Sequence, residues 1–240
     1  MGEGIGNESE IMPYITSANI ACGFHAGDKE TIRQTIALCL QYGVKVGAHP
    51  SYPDRKNFGR VDMVGNGLRP EDISSIVTEQ LQLMQELCRE QGATLHHVKP
   101  HGALYNRAAS DATVAAYICH AINNVDCSLL LYGLSGSIMA DAAAGNKLSF
   151  RHEVFSDRTY QDDGSLTPRS LPNALIHDEA GCISQVKQML LNHSVTTVSG
   201  KTIPLKADTI CIHGDGKQAV SFAKAVHQFI RSLKRGDQIR

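Results

Sequence analysis

The sequence predicts one α/β domain over residues 1–240, with buried parallel strands alternating with amphipathic helices, closed as a β/α barrel in preference to an open doubly wound sheet. Three observations carry this. Short apolar or β-branched runs are each followed by a loop and a longer helical pattern along the whole chain. The runs are too short and too uniformly apolar for a half-exposed sheet, which places them in a parallel sheet covered on both faces. Residues able to do chemistry fall directly after these runs, where a β/α barrel gathers its active site.

The predicted strands are Ser17–Cys22, Val44–Ala48, Leu95–Val98, Leu129–Tyr132, Leu148–Val154 and Thr209–Ile212. Asp28 caps the first helix, whose stripe is Ile32, Ile36 and Leu40, and Gly43 stops it. Pro70, Glu71 and Asp72 open the second, acidic at the positive end of the helix dipole, which runs through Ile73, Val77, Met84 and Cys88 to Gly92. The third begins at Ser110 or Asp111 with Val114, Ile118 and Ile122 in line; Ser135–Ala144, Asp178–Leu191 and Gln218–Leu233 follow. Two stretches break the rhythm. Val195–Leu205 turns at Ser199-Gly200 and reads as a hairpin. Asp157–His177 is a long polar loop, and in a compact domain such loops are usually functional.

Composition narrows the function. With 42% hydrophobic and 20% charged residues the chain is neither disordered nor collagen-like. A net charge of −1 argues against nucleic acid and anionic membrane as partners and for a small molecule or a protein. The seven cysteines are an odd number with no Cys-x-x-Cys, and Cys22, Cys39, Cys88, Cys119 and Cys211 lie in apolar runs, as reduced thiols packed as hydrophobes do. There is no spanning apolar run and no basic-then-apolar leader pattern, so a cytoplasmic protein is expected.

The strand ends bring together Gly23-Phe24-His25, His49-Pro50, Lys99-Pro100-His101-Gly102, Glu153 through Asp157, and His213-Gly214-Asp215. His25, His49, His101 and His213 suit proton transfer or a divalent metal. Lys99 suits a carboxylate or a developing oxyanion, and Asp28, Glu153, Asp157 or Asp215 suit a base or the orientation of a histidine. Each has a structural reading as well: Asp28 and Asp215 as helix caps, Lys99 as a solvated charge, and His97 as packing within its strand. Neither a Gly-x-x-x-x-Gly-Lys-[Ser/Thr] loop nor a dinucleotide fingerprint is present, since Gly2-Glu3-Gly4-Ile5-Gly6 follows no strand. Gly133-Leu134-Ser135-Gly136-Ser137 is one residue out of step with a nucleophile elbow.

Three long motifs, Ser17-Ala18-Asn19-Ile20-Ala21-Cys22-Gly23-Phe24-His25-Ala26-Gly27-Asp28, Gly47-Ala48-His49-Pro50 and His97-Val98-Lys99-Pro100-His101-Gly102-Ala103-Leu104-Tyr105-Asn106, closely resemble the LamB/YcsF family. Glu153-Val154-Phe155-Ser156-Asp157-Arg158, Gly164-Ser165-Leu166-Thr167-Pro168-Arg169 and Cys211-Ile212-His213-Gly214-Asp215 extend the likeness to the whole chain. The resemblance implies a seven-stranded TIM-like barrel of the glycoside hydrolase/deacetylase type. It also implies ATP-coupled opening of 5-oxo-L-proline to L-glutamate, performed with subunits B and C of one bacterial enzyme. The ATP site lies either on those partners or in an unconventional site here. The family usually carries a strand with Asp-Leu-Asn-Cys-Asp before Met-Gly-Glu, whereas this chain starts at Met1-Gly2-Glu3. Six strands of seven are therefore expected, with two exposed sheet edges and reduced stability.

On this reading His25, His49, His101, Glu153 and His213 are the catalytic candidates, and Asn19, Lys99, Arg158 and Asp215 the substrate-binding ones. Phosphorylation of the amide oxygen would make an imidate-like electrophile, which water attacks with a histidine as base. Two rivals stand beside it: a metal-dependent deacetylase or amidohydrolase, with His49, His101 and an acidic residue as ligands, and a non-catalytic protein that only binds the substrate.

Overall fold

The computed structural model describes residues 1–235. Its strands, in chain order, are β1 Ser17–Ala21, β2 Lys45–His49, β3 Leu95–Val98, β4 Leu130–Leu134, β5 Phe150–Phe155, β6 Ser194–Thr196, β7 Thr202–Pro204 and β8 Thr209–Cys211. Six of them form one curled sheet in the order β1-β2-β3-β4-β5-β8, a half-barrel in which each neighbouring pair is parallel. These are the six predicted strands, with ends that differ by at most two residues and bounds identical for β3. The β6–β7 pair is the predicted excursion hairpin, antiparallel about Ser199-Gly200.

The helices are α1 Glu8–Ile11, α2 Lys29–Tyr42, α3 Asp72–Glu90, α4 Gly102–Ser110, α5 Ala112–Asp126, α6 Met139–Gly145, α7 Glu179–Leu191 and α8 Ala219–Arg235, with a 3-10 turn at Met12–Tyr14 after α1. Asp28 caps α2 by accepting from the Thr31 N–H at 2.8 Å, and Gly43 closes it at φ 66°. Asp111 and Asp178 do the same for α5 and α7. The structure corrects the α2 stripe: Thr35 and Cys39 are buried with Ile32 and Ile36, and Leu40 is 48% exposed, because the buried face advances by three and four residues. It also adds α4. Gly102-Ala103-Leu104-Tyr105 turns into a helix directly after β3, packing Leu104 and Ala108 inward ahead of the Asp111 cap.

The core lies between β1–β4 and helices α2, α3 and α5, with Ile20, Val46, Val98 and Leu131 meeting Ile36, Leu81 and Ile118. Burial of side chains of this kind is worth about 1.5–3 kcal/mol each. A second cluster, including Leu134, Val154, Phe155 and Tyr160, lies against the hairpin, and a third joins α7 to α8 through Val186 and Phe222. The 157–177 loop folds back on the sheet. Tyr160 is fully buried with its hydroxyl accepting from the Phe155 N–H at 2.8 Å, and Thr159 N–H donates to Ala174 O. No helix among the described residues is long and apolar enough to cross a membrane.

Candidate active site

All six parallel strands run the same way, so the segments that follow them converge on one end of the half-barrel. There they line a cavity of about 1380 Å³. Of the predicted site residues, Asn19, His49, Lys99, His101, Glu153, Arg158, His213 and Asp215 reach its wall; His25 stands behind His101.

The histidines after β1, β2 and β3 pack together with Glu3. His25 stacks on His101 with ring centroids 3.8 Å apart, and its Nε2 meets Glu3 Oε1 at 3.2 Å. His49 Nδ1 donates to Lys99 O at 2.6 Å, and His101 Nε2 donates to Phe58 O at 2.9 Å. The Phe58–Gly59 turn comes this close because residue 102 is glycine: at φ 56°, a Cβ there would lie 2.5 Å from Gly59 O. Burial holds His49 well below the usual histidine range, with the His101 and Lys99 charges adding to it, and burial takes His101 down to about 3. Glu3, His49 and His101 each offer a ligand atom, all within 4.8 Å of one another.

In the middle of the wall Lys99 Nζ meets Glu153 Oε1 at 2.7 Å and donates to Cys211 Sγ at 3.0 Å. The second Glu153 oxygen accepts from the Tyr105 hydroxyl at 2.8 Å. Burial alone would lower the Lys99 pKa, but its net movement is upward, and burial pushes the Cys211 thiol up to about 12. Cys211 is thus a thiol at neutral pH, and the Glu153 carboxylate is what keeps Lys99 charged. The free lysine and free base that the sequence suggests are a closed ion pair, 5% and 2% exposed.

Beyond it, Asp157 holds His213. Its Oδ1 lies 2.9 Å from His213 Nδ1, and its Oδ2 accepts the His213 backbone N–H, also at 2.9 Å. The ring stacks on Phe155, and Nε2 is left for the cavity. Burial opposes the Asp157 charge, but the His213 charge and hydrogen bonds outweigh it and hold the carboxyl below its ordinary range. Arg158 is 5% exposed, with Nε and Nη2 donating to Ala174 O and Thr167 O, and no carboxylate lies within salt-bridge distance among the described residues. Burial and the neighbouring Arg169 lower its pKa to about 10, so it remains a cation. Asp215, expected as a cap or a substrate ligand, instead pairs with Arg60 at 2.8 Å, tying the segment after β8 to the one after β2. Asn19 Oδ1 accepts from His97 Nε2 at 2.9 Å, which places His97 in packing as expected.

Sequence reasoning missed Glu3, Tyr105 and Phe58. Glu3 sits in a glycine-rich run read only as a failed nucleotide motif. Tyr105 was legible as the fourth residue of an unrecognised helix, one turn beyond His101.

The family model of the LamB/YcsF family matches residues 1–236. The chain is 50% identical over 222 residues to the 5-oxoprolinase A subunit of Bordetella pertussis, covering 92% of this chain and 87% of that protein. It is 48% identical over 224 residues to the 5-oxoprolinase A subunit of Brevibacillus brevis, covering 93% and 87%. Its structure matches the crystal structure of the lactam utilization protein from Thermus thermophilus with a TM-score of 0.88 at 36% identity, over 95% of this chain and 90% of that one.

Proposed function

Because this chain belongs to the LamB/YcsF family, we propose that it is the A subunit of a 5-oxoprolinase, opening 5-oxo-L-proline to L-glutamate with ATP hydrolysis, together with subunits B and C. The observation that supports this most is identity at half of the aligned positions, over nine-tenths of the chain, with proteins of that name.

The geometry fits the chemistry demanded. A five-membered lactam is an unstrained amide, so water alone is too weak a nucleophile for it; ATP phosphorylates the amide oxygen and leaves as ADP, water adds to the activated carbon, the ring nitrogen departs as the amine, and a second water splits the acyl phosphate to L-glutamate and phosphate. His213, its Nδ1–H fixed on Asp157, presents Nε2 as the base that takes a proton from the attacking water. Arg158, a buried guanidinium without a carboxylate partner, holds the substrate carboxylate or the phosphoryl group. Lys99 is committed to Glu153, so its part is to fix the wall and to present positive charge beside the bound anion. His25, His49 and His101 form the opposite part of the site, and the Asn19 amide faces the same space.

The test is glutamate release from 5-oxoproline and ATP by this chain, by subunits B and C, and by the mixture. Product from the full mixture alone is the expected result; no product from the full mixture overturns the reading.

A further inference from the structure

Counting protons around His49 and His101 leaves a gap between them. A backbone carbonyl only accepts, so the His49 Nδ1 facing Lys99 O carries a hydrogen, and so does the His101 Nε2 facing Phe58 O. A neutral imidazole has one N–H. His49 Nε2 and His101 Nδ1 are therefore both bare, yet they face each other at 3.0 Å. Glu3 Oε1 stands 4.0 Å from His101 Nδ1 and adds a third electron-pair donor. Three donors converge with no hydrogen among them, and two lone pairs at that separation repel unless a cation lies between them and the carboxylate.

We propose that Glu3, His49 and His101 bind a divalent transition-metal cation through Oε1, Nε2 and Nδ1. Two imidazole nitrogens each about 2.0–2.1 Å from one metal stand about 2.8–3.4 Å apart for ligand angles between a right angle and the tetrahedral value. The 3.0 Å separation here lies within that range. The remaining N–H of each ring donates to a backbone carbonyl, which fixes the tautomer and points the bare nitrogen at the metal, as ligating histidines commonly require. His25 completes the arrangement. Clamped by Ser51 Oγ at 2.9 Å and stacked on His101, it orients Glu3 Oε1 from its Nε2. Two nitrogens and one carboxylate oxygen suit a borderline ion such as Zn²⁺ and leave positions for water or a substrate oxygen. Bound there, the ion would act as a Lewis acid on a carbonyl or lower the pKa of a water. Its use in lactam opening rests on the function proposed above; its existence rests on the geometry.

The full chain, stripped with a chelator and desalted, is titrated with Zn²⁺ by calorimetry and separately with Co²⁺, whose visible absorption reports nitrogen ligation. The expected result is one equivalent per chain. Affinity falls about a hundredfold or more in His101→Ala and about tenfold or more in Glu3→Gln, and is unchanged in His213→Ala. Circular dichroism checks folding, and Glu3→Gln, on a loop outside the core, serves if a histidine variant does not fold. Absence of stoichiometric binding overturns the proposal. Binding that persists in the His49→Ala/His101→Ala double variant overturns it too. Because the readout is bound metal, a chain that binds Zn²⁺ but releases no glutamate with its partners supports this site and overturns the lactam reading. A chain that releases glutamate and binds none does the reverse.

Discussion

Asp157 accepts both available N–H groups of His213, the ring Nδ1–H and the backbone N–H, from 56 positions away in the chain. One carboxylate thus fixes the tautomer, the rotamer and the strand-end position of the same histidine, leaving Nε2 as the ring's basic atom, facing the cavity. If that atom takes the proton from water, Asp157→Asn lowers kcat about a hundredfold or more with a smaller change in KM, and His213→Ala does no less. Steady-state glutamate release by the complete three-protein mixture measures both.

The same pair sets a pH dependence of stability. The Asp157 carboxyl sits below its unfolded value in the folded chain, so its contribution is present above the unfolded pKa of about 3.9 and is lost as pH falls through the folded value. Melting temperature should drop with acidification through this window. The Asp157→Asn variant should show a shallower acid limb; identical limbs would remove Asp157 from the account.

Arg158 has no carboxylate within salt-bridge distance among the described residues, so its charge can meet one on a substrate. Arg158→Lys keeps the charge and loses the planar fork that donates to Thr167 O and Ala174 O. The expected outcome is a KM for 5-oxoproline raised about tenfold or more with a smaller loss in kcat. An unchanged KM places the substrate anion elsewhere.

Lys99 and Glu153 form a buried pair with both carboxylate oxygens used. Removing one partner strands the other, so Lys99→Met or Glu153→Gln should each destabilise the fold by about 3–5 kcal/mol. The double variant Lys99→Met/Glu153→Leu should recover most of that loss, since an apolar pair replaces an ionic one of similar volume. Urea unfolding of the three variants distinguishes this from simple additivity.

Gly102→Ala tests how the Phe58–Gly59 turn is held against His101. The new methyl meets Gly59 O in a left-handed backbone position, for a cost of about 1–3 kcal/mol. Thermal melting reads the loss, and a neutral result would show that the turn gives way freely.

The six-strand alternation, the hairpin, the cap at Asp28, helix starts at or beside Asp111 and Asp178, and the location of His49, Lys99, His101 and His213 at strand ends are all legible in the sequence. Each follows from local chemistry: period, turn residues and cap residues act within a few positions. The phase of α2, the α4 helix and the partners of each site residue were decided by the tertiary structure. Leu40 is apolar, yet it turns outward because the neighbours that α2 packs against select the face carrying Cys39. Lys99 and Glu153 are 54 positions apart, and nothing local to either distinguishes a free base from a neutralised one. Glu3 gains its meaning only when the curl of the sheet carries the segments after β1, β2 and β3 to the same point as the N-terminal loop. Hydrogen-bond partnership is a property of distance in space, and a parallel sheet sets that distance between residues the sequence holds far apart.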